Sequence, residues 1–401
     1  MAEGRYLLAR EAAEELGVSV ATLYAYVSRG MIRSEAAGGS GRRRRYRAED
    51  VRRLKGRKER RRDPDAVVED ALSWGTPVLE SEITLVTDDG LYYRSRDAVA
   101  LSAGSTVEEV AALIWTGNPA KAAELFPPEQ PELPPRMGDA LGSLPPVEAF
   151  QILLPLAGAG DLAAYDLRPG AVARTGARIL RLMASAVAGE TAPGLAETLR
   201  RGWCPRDAGA GTLLSSALVL CADHELPVST FAARCVASSE ATPYAVVAAG
   251  LAAVGGVRHG GQIELVEAFL REVESVGDAR AAISGRLRRG EGIPGFGHSL
   301  YPGGDPRGAE LLRAAASAYP DSPAVALSAE VAEEALGLMG ERPTVDLGLV
   351  TLAQTLGLPS GGAVALFALG RTVGWIGHAI EQHESGSLIR PRARYVGEPV
   401  S

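Results

Sequence analysis

The sequence predicts a mainly α fold: a large helical body preceded by a small winged helix-turn-helix domain. Three observations point there. Hydrophobic residues fill 46% of the 401 positions but aromatics only 5%, with Ala and Leu prominent, a balance that suits packed helices better than stacked sheets. Apolar residues recur with helical period through most of the chain beyond residue 97. The charge is also divided. Residues 1–62 hold 17 Lys and Arg against 8 Asp and Glu, so a net charge of −7 leaves −16 on the remainder. A basic head on an acidic body implies two domains with different partners.

The head comes first. AREAAEELGVSVATLYAYVSRGMI (residues 9–32) reads as two short helices around a turn. Ala12, Ala13 and Leu16 share one face of the first helix, Gly17 permits the turn, and Ser19 is placed to cap the second. Val20, Leu23 and Val27 form the second helix's apolar face, leaving Thr22, Tyr24, Tyr26 and Arg29 for other faces. GGSGRRRRYRAEDVRRL follows, a glycine turn and an arginine run, Arg42, Arg43, Arg44 and Arg45. Such a pattern sends a helix into the major groove of DNA while a wing of arginines meets phosphates. These residues resemble the MerR-type helix-turn-helix domains over roughly the first 55 positions, and a DNA-binding domain at 1–56 is expected. RKERRRDPD, with no apolar periodicity, starts a linker expected at 57–75.

The body opens with its one strand signal. SEITLVTDDGLYYRSRD (81–97) has two extended runs around Asp89-Gly90, a hairpin pattern. Helical segments follow: VEEVAALIW, AVARTGARILRLMASAVAG, TLLSSALVLCADHEL and STFAARCVASS. PYAVVAAGLAAVGGV (243–257) is too short and too rich in Ala and Gly for a membrane span and reads as a buried helix. Cys204, Cys221 and Cys235 form no CxxC pair, so neither a zinc site nor a disulfide framework is expected. A charged N-terminus unlike a signal peptide and a reducing environment suit a cytoplasmic protein with no membrane partner.

GFGHSLYPGGDPR (295–307) is a constrained loop holding His298 and Arg307. The chain has only five histidines. His259, flanked by glycine in RHGG, precedes an amphipathic helix, whose dipole favours a neutral imidazole able to donate to an oxyanion. Glycine neighbours fill no core, so packing alone does not account for His259 or His298. His378 and His383, five residues apart, do not share a helix face and read as packed residues, not metal ligands. His224 ends an apolar helix. Asp346, between Val345 and Leu347, is costly to bury unless used or paired. Arg307, Arg371 and Arg390 stand near these groups in sequence. One chemistry unites them: a carboxylate removes a proton beside a carbonyl, a neutral histidine holds the enol, a second polarises an electrophilic carbonyl, and arginines grip a dicarboxylate.

From about residue 76 onward the chain resembles the citrate synthase family. The ordered matches are LYYRSRDAVAL, VEEVAALIWTGNP, LLSSALVLCADHELPVSTFAARCVASS, RHGG, GFGHSLYPGGDPR, VDLGLV, LGRTVGWIGH and LIRPRARYVG. The resemblance implies a two-domain helical fold, with a large domain at 76–259 and 351–401 and a small domain at 260–350. It implies Asp346 as the base that deprotonates an acyl-CoA, His259 as the enol stabiliser and His298 as the group polarising the keto-acid carbonyl. His224, Arg307 and Arg371 would hold oxaloacetate, Arg390 would reach in from the other subunit of a homodimer, and Gly295, Phe296 and Gly297 would face coenzyme A. No bound cofactor is implied, acyl-CoA being a co-substrate.

The departures from the family pattern leave the donor and acceptor open. Pro302 stands where a basic residue usually contacts coenzyme A phosphate, Pro227 replaces an asparagine, YRGYD becomes Tyr93-Arg94-Ser95-Arg96-Asp97, and no PMxxLR segment occurs, VEAFQILLPLAG standing near its place. Acetyl-CoA giving citrate and propionyl-CoA giving 2-methylcitrate both fit. A second function class fits too: a transcription regulator using the synthase body as a metabolite sensor.

Overall fold

The computed structural model describes residues 6–28, 32–36, 44–48, 50–51, 79–128 and 144–398. The chain divides into two units, Met1–Glu80 and Ser81–Ser401. Arg29, Arg42, Arg43 and the expected linker at 57–75 lie outside the described residues.

In the first unit, β1 (Tyr6–Leu8) runs straight into α1 (Ala9–Glu15), and α2 (Val20–Ser28) follows. Gly17 makes the turn at φ +57°, a conformation glycine adopts without steric cost. Ser19 Oγ accepts the Thr22 N–H at 3.2 Å, the cap that the sequence suggests. Strands β2 (Ser34–Ala36) and β3 (Arg44–Arg47) complete an antiparallel sheet ordered β1–β3–β2, with Arg45 opposite Leu8 on one side and Glu35 on the other. Ala12, Ala13, Leu16, Leu23, Ile32, Tyr46 and Val51 close a small core beneath it. Buried Asp50 takes three hydrogen bonds of 2.9–3.0 Å from Arg33, fixing the start of the wing.

The second unit begins with a meander, β4 (Thr84–Val86), β5 (Leu91–Tyr93) and β6 (Arg96–Asp97). The turn between β5 and β6 uses Arg94 and Ser95 at φ +46° and +65°. Glycine is usual at the second position, and Ser95 adopts the left-handed conformation at a cost of roughly 1–2 kcal/mol. Helices fill the rest: α3 (Ala98–Gly104), α4 (Val107–Thr116), α5 (Ala122–Leu125), α6 (Pro146–Gly160), α7 (Pro169–Ala188), α8 (Leu195–Trp203), α9 (Ala210–Leu220), α10 (Val228–Ala237), α11 (Pro243–Val254), α12 (Gly261–Val276), α13 (Ala279–Arg288), α14 (Pro306–Ala318), α15 (Pro323–Met339), α16 (Val345–Leu356) and α17 (Gly362–Ser385). The helix expected at 212–226 ends at Leu220. Its next residues turn away because their carbonyls are claimed from outside: Tyr93 Oη donates to the Asp223 carbonyl and Gly374 N–H to that of Ala222.

Helix α17 is the spine. Its mean hydropathy of 1.4 over 18 residues would suit a membrane span, yet that stretch is wholly buried in the body. The apolar run at 243–257 is likewise a core helix, α11, as far as Val254, with Val257 exposed beyond its end. The three cysteines are free thiols.

Helices α14 and α16 cross unusually closely, because Gly308 sits against the chain before α16. A β-carbon there would lie 2.4 Å from the Thr344 carbonyl oxygen. Gly308→Ala must therefore push the two helices apart and is expected to destabilise the body by about 1–3 kcal/mol. The check is a thermal melt followed in the near-ultraviolet; an unchanged midpoint would contradict this crossing.

Candidate active site

Four segments converge. The first is the loop 221–227 between α9 and α10, which carries His224. The one Tyr93 O–H is shared among the carbonyls of Val219 and Leu220 at the end of α9 and Asp223 in the loop, at 3.1–3.3 Å, and Arg371 Nε donates to the Cys221 carbonyl at 3.0 Å. Asp223 is fully buried; its carboxylate takes the Thr84 hydroxyl at 2.5 Å and the Glu225 N–H at 3.1 Å, and faces His378 Nε2 at 3.3 Å. His378 is thus a core residue, as its spacing suggested.

The second segment is the GFGH loop. Gly295 and Gly297 adopt φ +85° and +76°, where a side chain would be strained. The loop pairs with the chain leading into α16: Thr344 N–H donates to the Gly295 carbonyl at 2.9 Å and Gly297 N–H to the Arg342 carbonyl at 3.0 Å, with Phe296 opposite Pro343. His298 is therefore tied to the helix that bears Asp346. Leu300 N–H donates to His298 Nδ1 at 3.2 Å. That nitrogen must be bare, so the neutral ring carries its proton on Nε2.

The third segment is the DPR turn. Asp305 caps α14, accepting from Arg307 N–H at 3.0 Å, and binds the guanidinium at 2.9 and 2.8 Å. Its second oxygen also accepts the Val345 N–H at 3.0 Å, in the first turn of α16. Asp346 follows at once, its carboxylate taking the Thr344 hydroxyl at 3.0 Å. The fourth segment is the turn before α12, where His259 Nε2 meets Ser229 Oγ at 2.7 Å. The His259 ring stands edge-on to Phe367 at 5.6 Å, and Arg371 lies over the same ring at 5.1 Å.

The rings of His224 and His298 are 5.3 Å apart, with Tyr301 packed against both. So His224, His298, Arg307 and Asp346 are brought together through Tyr301 and Asp305, and His259 and Arg371 through Phe367. Arg390 is exposed in the tail beyond α17 and joins none of them within the chain. In the head, Tyr24 is exposed, Arg44 and Arg45 are exposed on β3, and Thr22 is half-buried; Tyr26 is partly buried against the head core.

The charges follow from burial. Burial, then the two cations Arg307 and Arg371, pushes His224 well below its usual pKa. Burial and Arg371 lower His259 to about 4, and burial and Arg307 lower His298. Burial raises Asp346 above the usual carboxylate range despite the Thr344 hydroxyl and Arg307. Burial alone would depress Arg307, but Asp305 outweighs it and holds the guanidinium charged. The arrangement is three neutral imidazoles, a carboxylate raised by burial, and two buried cations. Tyr301, Asp305, Ser229, Phe367 and Tyr93 were not singled out from the sequence. Only Asp305 had a local signal, as a capping residue before proline.

Residues 71–392 match the family described as citrate synthase, C-terminal domain, and residues 9–61 match MerR HTH family regulatory proteins. The putative citrate synthase 2 of Mycobacterium tuberculosis (strain ATCC 25618 / H37Rv) is 38% identical over 186 residues, 45% of this chain and 49% of that protein, so the match spans about half the relative's length. Citrate synthase 2 of Bacillus subtilis (strain 168) is 28% identical over 360 residues, 80% of this chain and 94% of that one. The solved citrate synthase of Thermotoga maritima MSB8 is similar at a TM-score of 0.68 and 26% identity, covering 82% of this chain and 95% of that one.

The buried histidines make stability depend on acid. A histidine whose folded pKa lies below its unfolded value of about 6.5 costs nothing above that pH. Below it the unfolded chain binds the proton first, so stability is lost as pH falls toward the folded value of about 4 given for His259. Denaturant titrations between these limits should show unfolding free energy falling with pH, and His259→Asn should flatten the slope. A slope unchanged in the variant would mean that His259 is not held neutral.

Proposed function

The chain belongs to the citrate synthase family, and from that premise we propose that it condenses an acyl-CoA with oxaloacetate, releasing CoA. Acetyl-CoA would give citrate and propionyl-CoA 2-methylcitrate. The observation that carries the reading is the convergence of His224, His298, Arg307 and Asp346 through Tyr301 and Asp305, with His259 and Arg371 on Phe367; burial raises Asp346 and lowers His259 and His298.

In this reading Asp346 takes a proton from the carbon beside the thioester carbonyl. His259 donates a hydrogen bond to the enolate oxygen; a charged imidazolium would more readily surrender its proton and lose the intermediate. The enolate carbon bonds to the oxaloacetate carbonyl carbon, whose oxygen becomes a hydroxyl by taking the His298 Nε2 proton, and the proton held by Asp346 restores the neutral ring. Water then hydrolyses the thioester to acid and free thiol. His224, Arg307 and Arg371 bind the two carboxylates, and Gly295, Phe296 and Gly297 line the coenzyme A side. His224 and Arg371 belong to the proposed large domain (76–259 and 351–401), and His298, Arg307 and Asp346 to the small domain (260–350). Closure of the two would keep water from the enolate.

We assign the same protein a cytoplasmic homodimer with DNA-binding heads. Exposed Ile152 and Leu156, one turn apart on α6, and exposed Leu162 and Tyr165 just beyond offer apolar surface suited to a second copy. Arg390, exposed beyond α17, is free of this chain's own site and able to complete the partner's. The head's fold, with exposed Tyr24, Arg44 and Arg45, supports contact with a two-fold DNA site.

Asp346→Asn keeps the side-chain shape but not the base, and kcat for thiol release from acetyl- or propionyl-CoA with oxaloacetate should fall by about 10²–10⁴ with little change in oxaloacetate affinity. Arg307→Lys keeps a cation beside Asp305 but loses the fork, and should raise the oxaloacetate KM by about tenfold or more. Near-normal turnover by the Asp346 variant, or no oxaloacetate-dependent thiol release by the native protein, would defeat the assignment.

The head predicts a salt signature. Fluorescence anisotropy of the full chain on DNA fragments should give affinities that fall steeply with salt as counterions are released. Affinity insensitive to salt, or unaltered by Arg44→Ala with Arg45→Ala, would remove the DNA-binding role.

A further inference from the structure

Tyr301 is almost fully buried, and among the described residues its hydroxyl has one hydrogen-bond partner, His224 Nε2 at 2.9 Å. Burial raises the phenol well above its ordinary pKa, so it keeps its proton at any working pH. That proton needs an acceptor, since a buried O–H left unmet is costly. If His224 donated from Nε2 instead, the phenol hydrogen would have nowhere to go. Donation by the phenol leaves Nε2 bare, and a neutral imidazole must then carry its proton on Nδ1. We propose that Tyr301 is a positioning residue that locks His224 as the Nδ1–H tautomer, leaving Nδ1–H as the donor offered to the keto acid. One short loop, residues 298–301, then sets two histidines in opposite tautomers. Leu300 N–H makes His298 an Nε2–H donor, and Tyr301 O–H makes His224 an Nδ1–H donor.

The electrostatics give the lock a purpose. Arg307 lies over the Tyr301 ring at 5.9 Å and the His298 ring is 4.9 Å away, so Tyr301 packs against His298 and Arg307 as well as His224. An anionic ligand gains from an N–H and is repelled by an imidazole lone pair. A His224 free to change tautomer would be competent only part of the time, and affinity would drop by that fraction. The inference rests on the reading of the site as an oxaloacetate pocket for its consequence, but not for the tautomer itself.

The test has two arms. Long-range nitrogen–proton correlation spectra of the full-length, ligand-free protein labelled with ¹⁵N-histidine report the tautomer of each of the five rings, His224 being assigned by its loss in His224→Gln. Expected is Nδ1–H at His224 and Nε2–H at His298; Nε2–H at His224 overturns the proposal without any variant having to fold. In the second arm Tyr301→Phe should move His224 toward a tautomer mixture and weaken oxaloacetate binding about tenfold, with kcat at saturation changed less than about twofold. An unchanged tautomer or affinity in a folded Phe variant would also overturn it. Native protein that binds no oxaloacetate sinks the functional reading instead, while the first arm still decides the tautomer.

Discussion

Two helices and one cation depend on the carboxylate of Asp305. It caps α14, binds the Arg307 guanidinium through both oxygens, and accepts the N–H of Val345 in the first turn of α16. The arginine proposed to bind oxaloacetate and the candidate base are therefore fixed by the same two oxygen atoms. Burial alone would raise this carboxyl, yet Arg307 holds it ionised. Removing one partner of such a pair leaves an uncompensated buried charge, at a cost of about 3–5 kcal/mol. The close crossing at Gly308 belongs to the same arrangement, because only a residue without a β-carbon lets Val345 come within reach of Asp305.

Around that fixed pair the site separates charge by solvation. The cations Arg307 and Arg371 are buried, and they depress the histidines beside them. The Thr344 hydroxyl and Arg307 would lower Asp346, but burial outweighs them. A site that must make and hold an enolate needs this combination: a base that is not too weak, donors that are not too acidic, and positive charge held for the dianionic partner. Burial sets the histidines and Asp346, while pairing overrides burial at Asp305 and Arg307.

Much of this was legible in the sequence. The winged head followed from Gly17, Ser19 and the spacing of Ala12, Leu16 and Leu23; the hairpin followed from Asp89-Gly90 and the alternation on either side. His259 and His298 stood out because glycine flanked them, and Asp346 because apolar residues did. The partners were not legible. Tyr301, Ser229 and Phe367 lie far along the chain from what they support, and a tyrosine beside proline and glycine signals only a turn. The end of α9 at Leu220 was missed for a related reason: CADHEL has helical composition, and only Tyr93, Arg371 and Gly374, from elsewhere in the body, claim its carbonyls. Tertiary hydrogen bonds overrode local propensity there.

The departures from the family motif take on a shared physical sense in this frame. Pro227 occupies the N-cap of α10, where no side-chain cap is present, and the nearby hydroxyl of Ser229 is given over to His259. Ser95 accepts a strained left-handed turn, yet that turn delivers Tyr93 to the loop bearing His224. Pro302 removes a cation from the loop but fixes its own φ immediately after Tyr301. A rigid turn loses less entropy on ordering than a flexible one, and what it orders is the phenol that meets His224. Pro227, Ser95 and Pro302 each lie within two residues of a side chain, Ser229, Tyr93 or Tyr301, that meets a site histidine or the loop that bears one.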